Sequence, residues 1–147
     1  MDVPGPPKRI LALDVGARRI GVAVSDPTGL IATPVEVVLR SPHGAHWDRL
    51  LELARSLEAE AFLVGLPLLP GGQPGAQARE TQAFVRGLQR RTALPVLTHD
   101  ERFSTATARE ALRDAGVRRK RRRQMEDAAA AAVILQEYLD SKRHKVQ

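Results

Sequence analysis

Cysteine is absent from this chain, and no long apolar run interrupts it. Without cysteine there are no disulfides, no catalytic thiolates and no cysteine-ligated zinc, a composition compatible with a reducing cytosol. No apolar segment approaches the roughly 20 residues of a membrane span. Residues 1–9 lack the apolar segment of a signal peptide, and we expect them to be a flexible polar lead-in. We therefore expect a cytoplasmic protein that makes no membrane contact.

What is present indicates one folded domain with an anionic partner. The chain has 147 residues, 43% of them hydrophobic, which predicts a single domain over 1–147. Its 23 Lys and Arg against 17 Asp and Glu give a net charge of +6. Nucleic acid is the first candidate partner, and a general compositional preference for arginine is the alternative. The segment from Arg102 to Arg123 contains nine basic residues and only two acidic ones, which favours a localised polyanion-binding surface.

The first strands surround a tight polar turn. Residues Ile10 to Leu13 and Ile20 to Val24 are apolar and compatible with β-structure, and an acid, glycine and two arginines lie around the turn. This pattern predicts a buried hairpin with Asp14 at the end of its first strand. A third strand is predicted over Pro34 to Leu39.

Helices and strands alternate along the rest of the chain, followed by a frayed tail at 141–147. Apolar spacing predicts a helix around Trp47 to Leu57, a strand at Ala61 to Val64, a helix from Ala76 to Arg91, a strand at Pro95 to Thr98, a helix ending near Gly116 and a last helix from Met125 to Leu139. The order β-β-β-α-β-α-β-α-α predicts an α/β fold. Its mixed five-stranded sheet would be antiparallel in the first three strands, parallel in the later ones and flanked by helices.

Three carboxylates stand where such a fold builds sites. Asp14 ends the first strand, Glu101 follows the last strand, and Asp127 lies in the last helix on a small, alanine-rich face. Because the carboxyl ends of neighbouring parallel strands form a crevice, we expect these three side chains to converge. Ionised carboxylates that lie this close repel one another, and a divalent cation removes that conflict.

An all-oxygen site suits Mg²⁺ or Mn²⁺, and a pair of ions about 4 Å apart suits phosphodiester hydrolysis. Each acid also has a plainer interpretation. Asp14 could accept hydrogen bonds within a turn, Glu101 could pair with Arg102 at the surface, and Asp127 could favour the positive end of its helix. The metal hypothesis therefore depends on the three acids together.

Other chemistries find less support. His99 is the histidine nearest to the predicted site, and a structural role is favoured for it. No nucleophile elbow or P-loop accompanies the glycine-rich segments. An actin-like phosphotransferase shares the D-x-G hairpin, but it needs two lobes and a second phosphate motif, for which 147 residues leave no room.

Four segments in order resemble the YqgF family, also called RuvX. They are Asp14 to Ala23, Val64 to Pro67, Asp100 to Thr105 and Asp127 to Gln136. The resemblance implies an RNase H-like fold and a metal-dependent endonuclease, with Asp14, Glu101 and Asp127 as catalytic residues that bind two Mg²⁺ or Mn²⁺ ions. Family members are described as resolving Holliday junctions and as processing the 5' end of pre-16S rRNA. Val15 departs from the family pattern, in which many members have proline.

The arginines then become candidate nucleic-acid contacts. Arg18, Arg19 and Arg102 would hold phosphates near the cut, and a basic block would bind backbone without reading sequence. That basic block comprises Arg118, Arg119, Lys120, Arg121, Arg122 and Arg123. One Trp, one Tyr and three Phe offer little base stacking, which favours branched DNA or structured RNA over extended single strands. Junction resolution would need two sites and hence a homodimer. The alternative is a non-catalytic nucleic-acid-binding protein with a vestigial site.

Overall fold

The computed structural model describes residues 7–67, 75–100 and 119–145, with the backbone alone at 119–125 and 143–145. Its sheet has five strands: β1 (Ile10–Val15), β2 (Arg19–Ser25), β3 (Ala32–Leu39), β4 (Ala61–Leu66) and β5 (Val96–Asp100). They lie in the order β3-β2-β1-β4-β5. The pairs β1–β2 and β2–β3 are antiparallel, whereas β1–β4 and β4–β5 are parallel. The predicted mixed sheet is confirmed.

Helices cover both faces of this sheet. On one face lie α1 (Ala45–Ser56) and α2 (Ala76–Gln89), which pack with alternate β1 residues such as Leu11 and Leu13. On the other lies α3 (Arg119–Lys145), whose Ile134 and Leu135 pack with Ile10 and Ala12. Since successive side chains of a strand point to opposite faces, an apolar run such as β1 is what a strand covered on both sides requires.

The last helix is longer than the apolar spacing predicts. It begins at Arg119, so the basic residues 119–123 belong to the helix, and its predicted start at Met125 is wrong. Arginine and lysine are good helix formers, and that preference prevails over the repulsion of like charges. The helix also continues to Lys145, into the segment predicted to be a frayed tail, where basic residues suit the negative end of the helix dipole. The helix predicted to end near Gly116 lies outside the described residues.

Residues 8 and 9, which the sequence predicts to be part of a flexible lead-in, are hydrogen-bonded to the rest of the fold. The Arg9 side chain donates a hydrogen bond from Nε to the carbonyl oxygen of Leu57 at 2.7 Å. The Ser25 hydroxyl donates to the carbonyl of Lys8. Residues 8 and 9 therefore belong to the folded structure, whereas 1–6 lie outside the described residues. Within the described ranges, no helix has the length and apolar character needed to cross a bilayer.

Candidate functional site

Asp14 lies near the carboxyl end of β1, on the face that α3 covers. Its neighbours Leu13 and Val15 belong to the core beneath α1 and α2, whereas Ala12 packs on the α3 side, so strand alternation puts Asp14 on the α3 side too. The parallel pairing of Leu13 with Val64 brings the carboxyl ends of β1 and β4 to one edge of the sheet. Strand β5 ends at that same edge, because Asp100 pairs with Leu66.

Gly21 brings the last helix onto this end of the sheet. A Cβ atom at Gly21 would lie only 1.8 Å from the carbonyl oxygen of Asp127, so the helix backbone rests directly on β2. Gly21 is also the register partner of Asp14. Paired residues of antiparallel strands have Cα atoms about 4.5–5.5 Å apart. Asp14 and Asp127 therefore lie on the same face and at the same end of the sheet.

Asp127 has a defined partner on β2. The Arg19 side chain donates a hydrogen bond from Nε to Oδ2 of Asp127 at 2.7 Å. The Asp127 side chain is 13% exposed and that of Arg19 38%. Asp127 also lies eight residues after the start of α3, more than two turns from it. Because the helix dipole acts within the first turn, it does not account for this acid.

The third predicted carboxylate, Glu101, lies outside the described residues, immediately after β5. Within the described ranges no group of three His, Asp or Glu forms a metal-binding cluster. Asp14 and Asp127 nevertheless offer the oxygen donors that Mg²⁺ and Mn²⁺ prefer, at one end of one sheet face. The donor chemistry therefore fits such an ion, and the catalytic and metal-binding roles of the three acids stay predictions.

The other predicted contacts divide into described and undescribed residues. Arg18 is exposed beside the β1–β2 turn, while Arg102 and Arg118 lie outside the described residues. Positions 119–123 of the basic block occupy the first turns of α3. His99 lies on β5 with Nε2 3.5 Å from Oε2 of Glu137, a contact in keeping with the structural role predicted for it.

Sequence reasoning missed the partnership of Arg19 with Asp127, which are 108 positions apart. It treated Arg19 as a turn residue and phosphate contact. The available signal was Asp127 itself, because a carboxylate carried inward on an apolar helix face requires a cation or hydrogen-bond donor. The apolar spacing, which predicts a helix around Trp47 to Leu57, also did not indicate that α1 begins before Trp47 and buries His46.

Replacing Arg19 with glutamine is expected to lower the free energy of unfolding by about 1 kcal/mol, or the melting temperature by about 3 °C. The loss is modest because Arg19 is partly exposed, which screens its charge, although Asp127 is left with a weaker donor. Thermal unfolding of purified variants measures it. The neighbouring variant Arg18→Gln removes the same charge from an exposed side chain and should melt as the parent does. Equal melting of all three proteins would contradict the prediction.

Comparison with known proteins agrees with this architecture. A family model described as RuvX, Holliday junction resolvase, matches residues 8–141. A Mycobacterium tuberculosis H37Rv protein named "Putative pre-16S rRNA nuclease" is 45% identical over 148 residues, covering 96% of this chain and 87% of that protein. A Roseiflexus sp. RS-1 protein of the same name is 42% identical over 137 residues, covering 93% and 97%.

Among solved structures, Thermus thermophilus RuvC in complex with a Holliday junction substrate has a TM-score of 0.56 at 19% identity, covering 92% of this chain and 95% of that chain. This likeness concerns the fold, and it confirms the predicted RNase H-like α/β architecture. The family model and the two close relatives each cover most of the chain. The chain thus belongs to the RuvX Holliday junction resolvase family.

Proposed function

We propose that this protein is a divalent-metal-dependent endonuclease that hydrolyses phosphodiester bonds in structured nucleic acid. Its catalytic and metal-binding residues would be Asp14, Glu101 and Asp127. One observation carries the proposal: the contact of α3 with Gly21 gathers two carboxylates from opposite ends of the sequence at one end of the sheet. Carrying carboxylates away from water costs stability unless a cation or hydrogen-bond donors compensate, and a bound divalent ion would do so for both acids.

The chain's own residues would divide the work. Asp14, Glu101 and Asp127 would hold two Mg²⁺ or Mn²⁺ ions, which when bound supply activation of water and stabilisation of the departing oxygen. Three alanines that follow Asp127 in the helix are buried, and their packing limits the movement of the helix that carries this acid. They are Ala128, Ala130 and Ala131. Arg18, Arg19 and Arg102 would orient the phosphate.

Two substrates are consistent with the relatives. The names of the M. tuberculosis and Roseiflexus proteins refer to pre-16S rRNA, and the Thermus RuvC was solved with a Holliday junction. We extend both to this chain as candidates: Holliday junction resolution, and processing of the 5' end of pre-16S rRNA in the cytoplasm. The basic block at 118–123 would bind the backbone in either case. Cutting a junction symmetrically would require a homodimer.

The proposal is tested by incubating the purified protein with a labelled four-way DNA junction and, in parallel, with a pre-16S rRNA fragment. Cleavage of at least one substrate is expected with Mn²⁺ or Mg²⁺ and none with EDTA. The activity must coincide with the protein peak in gel filtration, and light scattering on that peak reports whether the protein is a dimer. Cleavage in EDTA, or no cleavage of either substrate with metal, would contradict the proposed function.

The contact between Arg19 and Asp127 favours a second candidate, a nucleic-acid-binding protein with a vestigial site. A guanidinium on Asp127 neutralises the carboxylate in the way a cation would. A ligand that binds the folded state raises its stability, so the two candidates differ in thermal unfolding. Mn²⁺ should raise the melting temperature of a working site and leave that of a vestigial site unchanged.

A further inference from the structure

A second basic feature lies on the opposite face of the sheet, between α1 and α2. It is a groove of about 390 Å³, which we call the arginine groove. Its lining includes Arg40, Trp47, Glu80, Phe84, Arg90 and Arg91. Three arginines against one glutamate give it an excess of positive charge, and none of these charged groups forms an ion pair within the described part of the chain.

Arg91 is held in place from two sides. Its guanidinium lies 4.3 Å from the centre of the Trp47 ring, and its Nη1 donates to the carbonyl oxygen of Gly87 at 2.8 Å. Gly87 allows this arrangement, because a Cβ there would lie 3.0 Å from the Trp47 ring. An arginine fixed by stacking and one hydrogen bond keeps its remaining N–H donors for another acceptor.

Arg40, which also lines the groove, is held in the same way. Its guanidinium lies 5.4 Å from the centre of the Phe84 ring, and its Nη1 donates to the carbonyl oxygen of Gly16 at 3.1 Å. The rings of Trp47 and Phe84 stack on each other with centroids 4.7 Å apart. Each guanidinium therefore packs on one ring of the same stacked pair, Arg91 on Trp47 and Arg40 on Phe84. This support lowers the entropy lost when the arginines bind a ligand.

The positive charges of Arg40 and Arg91 both act on a buried histidine. His46 lies beside Trp47, and its Nδ1 accepts a hydrogen bond from the backbone N–H of Ser41 at 3.1 Å. Burial, and then the positive charges of Arg40 and Arg91, lower the pKa of His46 below its usual value. The lowered pKa of His46 is in keeping with the positive charge of the arginine groove.

The arginine groove continues toward the candidate site. A smaller cavity of about 130 Å³ shares Arg40 and Glu80 with it and reaches Gly16 and Ala17 in the β1–β2 turn. Asp14 is the second-last residue of β1, which leads into that turn. The smaller cavity therefore connects the arginine groove with the turn that follows β1.

We propose that the arginine groove binds the phosphate backbone of the nucleic-acid substrate as it leaves the candidate site. The inference rests on the proposed function for its substrate, and it adds a second contact surface apart from the basic block on α3. Stacked arginines with free donors suit phosphate oxygens, which accept two parallel hydrogen bonds from one guanidinium. Arg40, Arg90 and Arg91 would contact backbone without reading sequence.

The test measures binding without cleavage. A fluorescent four-way junction and a structured RNA are titrated with protein in EDTA at several salt concentrations between 50 and 200 mM. The double variant R40Q/R91Q should bind about tenfold more weakly, and the slope of log K against log salt should fall by about 2, one unit for each lost phosphate contact. R40K/R91K keeps both charges and should keep the slope while losing affinity, because lysine does not stack or bind in a fork.

A matched control removes two positive charges elsewhere. Lys8 and Arg55 are exposed and lie outside the lining of the groove, so K8Q/R55Q should keep the parent slope. If R40Q/R91Q fails to fold in thermal unfolding, Arg90→Gln tests the same surface, since Arg90 makes no ring contact with any described residue, and its slope should fall by about 1. An unchanged slope in these variants overturns the groove even if the protein cleaves. A reduced slope supports it even if no substrate is cleaved, so the two proposals can fail separately.

Discussion

An Asp14→Asn variant is expected to fold like the parent and to lose at least about 1,000-fold of its cleavage rate, or about 4 kcal/mol of transition-state stabilisation. Asparagine keeps the shape of the side chain but removes the charge that would hold a divalent ion. Asp127→Asn should give a loss of the same order, because the two carboxylates lie at the same end of the sheet. Single-turnover cleavage with Mn²⁺ measures both.

The matched control is Asp48→Asn. Asp48 is an exposed acid in the first turn of α1, on the other face of the sheet, and its substitution should leave the rate within about twofold of the parent. Thermal unfolding of all three variants separates a catalytic loss from a folding defect. Parental rates in Asp14→Asn would show that this carboxylate has no part in the reaction.

Gly21→Ala is expected to cost at least about 3 kcal/mol of unfolding free energy, or about 10 °C of melting temperature. The added methyl would lie 1.8 Å from the carbonyl oxygen of Asp127 and 2.2 Å from its carbonyl carbon. Both are backbone atoms of a packed helix, and β2 is an interior strand, so neither side can yield by a rotamer change. The helix must shift, and Asp127 moves with it.

Gly87→Ala makes a comparison with the same chemical change. There the methyl would lie 3.0 Å from the ring of Trp47, a partly buried side chain that can adjust. Alanine also favours the helix by about 1 kcal/mol relative to glycine, so the net change should remain within about 1 kcal/mol. Chemical denaturation of both variants measures the difference. Similar stability of Gly21→Ala and the parent would mean that the helix does not rest on β2.

The strands could be predicted from sequence because each is an apolar run bounded by turn residues. The predicted first and second strands agree with β1 and β2 to within two residues at each end. The alternation of helices with the later strands was enough to predict their parallel pairing, since a strand connected through a helix to its neighbour in one sheet runs parallel to it. Most of the sheet can thus be predicted from patterns within short segments of the sequence.

The contacts that form the site are not local. Gly21 could be predicted to lie in the hairpin, but its contact with Asp127 depends on where the last helix lies on the sheet. The arginine groove joins residues that directly follow β3 and α2 with residues of α1 and α2. Only the stacking distances show that Arg40 and Arg91 pack on the same pair of rings. No spacing of residues along the sequence predicts these contacts between separate elements.

Because α3 is continuous, the number of residues between the basic positions and Asp127 is constrained during evolution. Because α3 includes both the basic positions 119–123 and Asp127, the offset between them is fixed at 1.5 Å of rise and about 100° of turn per residue. Inserting one residue between Arg123 and Asp127 would turn the basic positions by more than a quarter of a circle about the helix axis. The helix therefore fixes both the distance and the angle between the basic positions and Asp127. Substitutions should be tolerated in this stretch far more readily than insertions or deletions.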